Sequence, residues 1–468
     1  MLRRLARATA ALLKRPWVAL ILLYGVQVSL ILALVFAAGR QELLTKEEAS
    51  NTFVNPTFLQ LRLQHHLYAS NFYGYAFYAF VVHLMPGFLF YGRFAKAVMM
   101  GFLPPILYLY LRRRFLWTGP QAFLAAVAIG LLPGVIDFSW IGTEWGFELL
   151  AGFLALWLAL FESPLPVIAS CAAAAIAAGS YGSGFAFIPV VLFHQLPRLR
   201  KPELKGAVIA GGIVAAAVLL FPVYWWTNVQ ALYLGGGERP VVAGAVGRLG
   251  DLFHELFVHG GSYYFFSNGE PALGGIVIGI ASVAGIAAMT IREPARSWPI
   301  LAIVAGTMAI YAIAGNVIGI RRALPLVVSL GIGAVFLLRA AGGGPIRRFV
   351  FYGLLSAAIL FELREFNSVR RGLDTAEIPL PRDWDFPIPP GETMAAEIAS
   401  LANRSRTLPG DLNGYEPDRT LSILYQLTLP HPIVTAGELV VRCDQHGWSV
   451  PSTSPRLLRF RKRLFGTR

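Results

Sequence analysis

The sequence predicts an all-α polytopic membrane protein of about eleven transmembrane helices, followed by a small extracytoplasmic C-terminal domain. Three observations carry that expectation. Of the 468 residues, 56% are hydrophobic and only 14% are charged, too few charges to cover a soluble protein of this size, and the mean hydropathy is +0.58. The apolar residues gather in repeated runs long enough to cross a hydrocarbon core of about 30 Å, the shorter ones by kinking or by burial among neighbours. The gaps between runs are short and punctuated by Arg, Pro and Gly, with the arginines in alternate gaps.

Taken in order, spans are expected at 17–38, 94–111, 120–136, 146–161, 164–178, 184–197, 206–224, 272–290, 298–316, 323–338 and 349–363. They must be helices, because each helix satisfies its own backbone inside lipid. Arg3, Arg4, Arg7, Lys14 and Arg15 precede the first span, which holds the N-terminus in the cytoplasm. That run is too long for a signal peptide and no small-residue cleavage site follows it, so it reads as a retained helix. The cytoplasmic turns are then Arg112-Arg113-Arg114, Glu162-Ser163, Arg198 to Lys205, Arg292 to Arg296 and Arg339 to Arg348, all basic except the second. The formal charge of +14 therefore reflects orientation in the membrane, and nucleic acid is not expected as a partner.

An odd number of spans places the C-terminus outside. The outer face receives two long connections, 39–92 and 225–270, and the tail. The first connection carries two aromatic, apolar stretches at 57–68 and 73–84 with the spacing of interfacial helices. The organisation expected is a transmembrane domain over 1–364 and an extracytoplasmic domain over 365–468, the latter α/β or irregular because its composition turns Pro-rich and then mixed. Gly179 to Gly184 reads as a tight outer turn, and Trp140, Trp145, Trp225 and Trp226 as an aromatic belt. Cys171 lies in a span and Cys443 in the tail, so no disulfide is expected between them, and no Cys/His metal spacing occurs.

Acids are scarce, which gives weight to Glu47 and Glu48 just beyond the first span. A carboxylate at the outer rim of a membrane cavity can take the proton of an attacking hydroxyl or amine, and the competing interpretation is a solvated loop pair. Asp137, Glu144 and Glu148 follow the third span and could supply a second acid. Arg321-Arg322 falls on the predicted outer side, where the charge rule disfavours arginine. A lipid phosphate is the natural partner there, and snorkelling or a shifted span boundary is the rival account. Arg93 and Lys96 open the second span in the same way. His65, His66, His83, His254 and His259 all fall outside. Of these, His65, His254 and His259 are possible acceptor-side groups, though structural roles are the commoner use of such histidines.

The order of these parts resembles the GT-C membrane glycosyltransferases, in particular the protein O-mannosyltransferase and aminoarabinose transferase branch. The likeness rests on a basic start, one span, the acidic pair Glu47-Glu48 where that family has Asp-Glu, an aromatic interfacial stretch, Phe90-Tyr91-Gly92-Arg93 opening the next span, and Arg321-Arg322-Ala323-Leu324-Pro325, similar to Arg-Tyr-x-x-Pro. It covers about residues 1–364 and departs at Glu47 for Asp, at Ala323 for Tyr and in lacking a Pro-Pro around Tyr73 to Tyr78. What the resemblance implies is a polyprenyl-phosphate-linked sugar as donor and a glycan, lipid or protein acceptor approaching from the periplasm. It also implies an inverting transfer in a bacterial inner membrane. In those terms Glu47 or Glu48 is the base, and Arg321, Arg322 and Arg93 hold the phosphate. No cofactor is expected, and a divalent metal is left open. Two alternatives stand beside it: a polysaccharide polymerase or O-antigen ligase type of enzyme, and a non-enzymatic lipid or sugar transporter, which would place ionisable residues along a mid-bilayer pathway.

Overall fold

In the computed structural model the described residues are 15–37, 72–74, 76–77, 91–140, 145–224, 244–258, 271–313, 323–340, 345–374, 434–436, 439–444 and 447–449. Each predicted span is met by helix. In chain order these are α1 (Pro16–Ala37), α2 (Tyr91–Met100), α3 (Leu103–Arg114), α4 (Gly119–Gly130), α5 (Pro133–Trp140), α6 (Phe147–Leu158) and α7 (Pro164–Ser180). They continue as α8 (Phe187–Gln195), α9 (Pro202–Tyr224), α10 (Ala245–Phe257), α11 (Ile276–Arg292), α12 (Pro294–Ile313), α13 (Leu324–Ala340) and α14 (Pro345–Asp374). Proline opens many of them, because its missing N–H costs nothing in a first turn. Four helices among the described residues are long and apolar enough to cross a membrane, five if the bent α4–α5 pair is one span, and four shorter apolar helices accompany them. The chain is a multi-pass helical membrane protein.

Three features depart from the sequence expectation. The third span is broken: α4 and α5 meet at an angle of 67°. Pro133 has no N–H to continue α4, and the polar groups freed at the break find other partners. Gln27 of α1 donates to the Gly130 carbonyl at 3.2 Å, and the Gly134 N–H donates to the Ala272 carbonyl at 2.9 Å. The expected turn at Gly179 to Gly184 is a helix end followed by a 3-10 turn (Gly182–Ala186) lodged among α6, α7, α12 and α13. A Cβ on Gly184 would meet the Ala177 carbonyl oxygen at 2.0 Å, so only glycine fits there. The second long outer connection contains α10, an amphipathic helix that docks on α12 by Arg248, whose Nε and Nη2 donate to the Ala312 carbonyl at 2.9 and 2.5 Å.

Two helix pairs pack with little side chain between them. On α11, a Cβ built at Gly285 would lie 1.8 Å from the Gly333 carbonyl oxygen of α13. Gly211 of α9 similarly faces Cys171 of α7, with Sγ at 3.0 Å from its would-be Cβ. Small residues let helices approach closely where lipid supplies no hydrophobic drive for association.

The five turns predicted to be cytoplasmic lie together at one end of the bundle and are tied to one another. Arg113 donates to the Leu160 carbonyl, Arg114 to those of Ala295 and Arg296, Arg198 to that of Ala159, and Arg339 to that of Phe115. Ion pairs join Lys201 to Glu162 at 2.8 Å and Arg339 to Glu293 at 3.7 Å. The hydrogen bond from Lys201, and then its charge, hold the Glu162 carboxyl below its ordinary range. Helix α14 starts from this end and continues through residue 364 to Asp374. Within the tail, β1 (Val434–Ala436), β2 (Leu439–Asp444) and β3 (Gly447–Ser449) form an antiparallel sheet in that order, with Val434 opposite Val441 and Cys443 opposite Trp448. Cys171 is a buried free thiol.

Replacing Gly285 by Ala should lower the thermal midpoint of the detergent-solubilised protein, since overpacking of a close contact costs about 1–3 kcal/mol. Gly353, whose Cβ would meet nothing within 4 Å, is the control that should tolerate Ala. Equal midpoints for the two variants would contradict the close approach of α11 and α13.

Candidate functional site

Opposite the basic end, four ionisable side chains among the described residues are at most 2% exposed: Arg93 at 2% and Lys96, Asp137 and Glu148 at 0%. Charges in such a place are expensive and usually have a function or a partner. Arg93 and Lys96 are one turn apart on α2, which packs against both α5, carrying Asp137, and α6, carrying Glu148. Asp137 and Glu148 are therefore helical and internal, which corrects their assignment to an outer loop. The bend after α4 turns α5 back into the bundle and takes Asp137 with it.

The corner between α5 and α6 is closely determined. Gly146, at φ +90°, reverses the chain, and its N–H donates to Glu148 Oε2 at 2.8 Å. The carboxylate's other oxygen, Oε1, accepts from Ser183 Oγ of the 3-10 turn at 3.4 Å. Lys96 Nζ donates to the Trp145 carbonyl and lies 4.8 Å from the centre of the Phe147 ring, so Lys96 and Glu148 hold the two sides of one peptide, its carbonyl and the Gly146 N–H. The Trp145 ring meets Phe138, the residue after Asp137, edge-on at 5.4 Å, and Phe77 covers Phe147 at 4.9 Å. Trp140 and Trp145 are thus buried core residues, at 0% and 3% exposure, where the sequence placed them in an aromatic belt. The bend draws them inward along with Asp137.

Of the residues singled out from the sequence, Arg93 and Lys96 on α2, Asp137 on α5 and Glu148 on α6 are brought onto neighbouring helices. His254 is on the exposed face of α10, and α10 is reached from the α5 side through Ala272, whose N–H donates to the Glu255 carbonyl and whose carbonyl accepts from Gly134. Glu47, Glu48, Arg321, Arg322, Glu144, His65 and His259 lie outside the described residues, as do the interfacial stretch 57–68 and Trp225 and Trp226. Two participants deserved more notice at the sequence level. Lys96 is a lysine inside an apolar run, and Glu148 follows a Trp-Gly-Phe turn at the head of another. Among the described residues no group of three or more His, Cys, Asp or Glu side chains could hold a metal ion.

What this arrangement can do chemically is limited and specific. Two basic and two acidic side chains enclosed among packed helices can bind an anion, orient a polar ligand or hold their neighbours in place. No protein-family model matches the chain, and no curated protein matches it. Among solved structures, it is similar to the crystal structure of ArnT from Cupriavidus metallidurans bound to undecaprenyl phosphate. The identity is 11%, the match covers 87% of this chain and 77% of that one, and the TM-score is 0.47, a general likeness of layout too loose to assign a shared fold.

The burial of Lys96 has a direct chemical check. A small amine-acylating reagent applied to the protein in detergent should modify Lys201, whose side chain is 42% exposed, and leave Lys96 intact by peptide mass spectrometry. Acylation of Lys96 at the rate of Lys201 would contradict the enclosed site.

Proposed function

We propose that this chain is an integral membrane glycosyltransferase that moves a sugar from a polyprenyl-phosphate donor to an acceptor at the periplasmic face of a bacterial inner membrane. The observation that carries this reading is the enclosed set of Arg93, Lys96, Asp137 and Glu148, gathered at the end of the bundle opposite the tied basic turns. A purely structural bundle gains little from burying four charges, whereas chemistry on a phosphorylated lipid at that end needs cations and acids together. The order of parts in the sequence, acidic pair first and Arg321-Arg322 late, agrees with the same chemistry. The arginine-rich turns at the other end support a cytoplasmic N-terminus and a periplasmic tail.

In this mechanism the carboxylate of Glu47, or of Glu48, takes the proton of the acceptor hydroxyl or amine. The freed electron pair attacks the anomeric carbon while its bond to the phosphate oxygen breaks, and polyprenyl phosphate leaves with that bonding pair. A single displacement inverts the anomeric centre. Arg321, Arg322 and Arg93 balance the charge that grows on the departing phosphate. Asp137 serves as the second acid, and the tail recognises the acceptor or covers the cavity.

The test is reconstituted protein supplied with a panel of labelled polyprenyl-phosphate sugars. Glu47→Gln or Glu48→Gln should cut transfer about 10²–10⁴-fold, the usual value of a general base, with membrane insertion intact. Full transfer in both single variants and in the double variant would remove the base. Arg322→Ala should weaken donor binding by tenfold or more, in line with about 1.5–3 kcal/mol for a charged hydrogen bond, and leave acceptor binding unchanged. An unaltered donor affinity would remove the phosphate clamp.

A further inference from the structure

We propose that Lys96 and Glu148 are positioning residues: two buried side chains of opposite charge that grip the Trp145–Gly146 peptide, Lys96 at its carbonyl and Glu148 at its N–H, and so hold this corner, with Asp137 and Arg93, in register for the transfer described above, a reading on which this proposal rests. Four observations converge on the pair. Both side chains are fully enclosed, so neither charge is there to keep the protein soluble. The ammonium of Lys96 is spent inside the corner, on the Trp145 carbonyl and the Phe147 ring. The carboxylate of Glu148 is divided between the Gly146 N–H and the Ser183 hydroxyl, which joins the corner to the central 3-10 turn. Trp145 in turn rests on Phe138, the neighbour of Asp137, while Arg93 sits one turn from Lys96 on the same helix.

One lysine and one glutamate therefore connect α2, the head of α6 and the 3-10 turn, and α5 joins them through Phe138 on the Trp145 ring. An apolar pair of similar volume would serve stability as well or better, since desolvation offsets much of the attraction between buried charges. What the ionic pair adds is a fixed distance. Lys96 holds the Trp145 carbonyl to α2, so the separation between the helix of Arg93 and the head of α6 is set by a directed bond, and α5 is placed against it by Phe138 on the Trp145 ring. Displacing a reacting group by about 1 Å is enough to lose roughly a hundredfold in rate.

The experiment uses the full chain in nanodiscs of defined phospholipid, with Lys96→Met, Glu148→Gln, the double variant and Lys96→Arg. Lys201→Met, which breaks an ion pair at the other end, is the control. Each single neutralisation should lower the thermal midpoint, and the double variant should regain most of that loss because no charge is left uncompensated. Turnover of the polyprenyl-phosphate sugar should fall about 100-fold in Lys96→Met, in kcat with both KM values little changed, and should stay low in the double variant, where the tether to Trp145 is still missing. Lys96→Arg should return most of the rate, and Lys201→Met should keep it. Additive midpoint losses in the two single variants would overturn the pairing, and recovery of turnover together with stability in the double variant would overturn the positioning role. A parent protein that transfers no sugar from any such donor would instead sink the transferase reading, a failure visible before any variant is compared, and the midpoint cycle would still decide the pairing.

Discussion

Backbone carbonyls at helix ends need donors, and at the basic end of this bundle the donors are arginines from other helices. Arg339 reaches the Phe115 carbonyl at the end of α3, while Arg198 and Arg113 reach Ala159 and Leu160 just past α6. A guanidinium there also complements the negative pole of the helix dipole. Each bond is modest alone, but together they join all five turns into one plate from which the helices rise. Because helices are stiff over these lengths, the plate fixes which of their far ends meet. The enclosed charges at the opposite end depend on it: Arg93 and Lys96 descend toward Arg114 on the α2–α3 span, Glu148 toward Ala159 and Leu160, and Asp137 rises from the helix that begins just after Trp117.

Between the two ends the bundle is held in two different ways. Around Gly285, Gly333, Gly211 and Cys171 the helices approach almost backbone to backbone, with dispersion as the main attraction. Around α2, α5 and α6 the contacts between helices are made by aromatic rings and charged side chains. The first arrangement makes a rigid body, and the second a polar interior with determined geometry. Tyr110, Trp117, Thr307 and Ser329 also bury polar atoms that have no hydrogen-bond partner among the described residues, so polar character extends beyond the charged cluster.

Much of the fold was legible in the sequence because hydropathy and positive charge act locally. The apolar residues between Arg112-Arg113-Arg114 and the next turn at the same end, Glu162-Ser163, must cross and return, and all eleven spans met helix. The 67° break was written in Leu131-Leu132-Pro133 but not its direction, which depends on Gln27 and Ala272, far away in the chain. For that reason Asp137, Trp140 and Trp145 were expected at the surface and are found inside. Helix α10 was missed although Leu249, Leu252, Phe253 and Leu256 have helical spacing, because glycine on either side suggested loop. Arg93 and Asp137 were recognised as chemically notable from position alone. That Lys96 and Glu148 would hold the same peptide was not, since no spacing rule connects residues on different spans.

The break between α4 and α5 also sets a depth. Helix α4 has twelve residues and climbs about 18 Å from the basic end at 1.5 Å per residue, well short of a hydrocarbon core of about 30 Å, and the strongly tilted α5 adds only a little more. Measured along α4 from the basic end, Asp137 consequently lies short of the full thickness of such a core. A lipid-borne substrate could approach such a group sideways with its tail still in the bilayer, whereas a water-soluble one would have to be lowered into the protein from above, so the same kink that hides the carboxylate also decides which kind of molecule has the shorter journey to it.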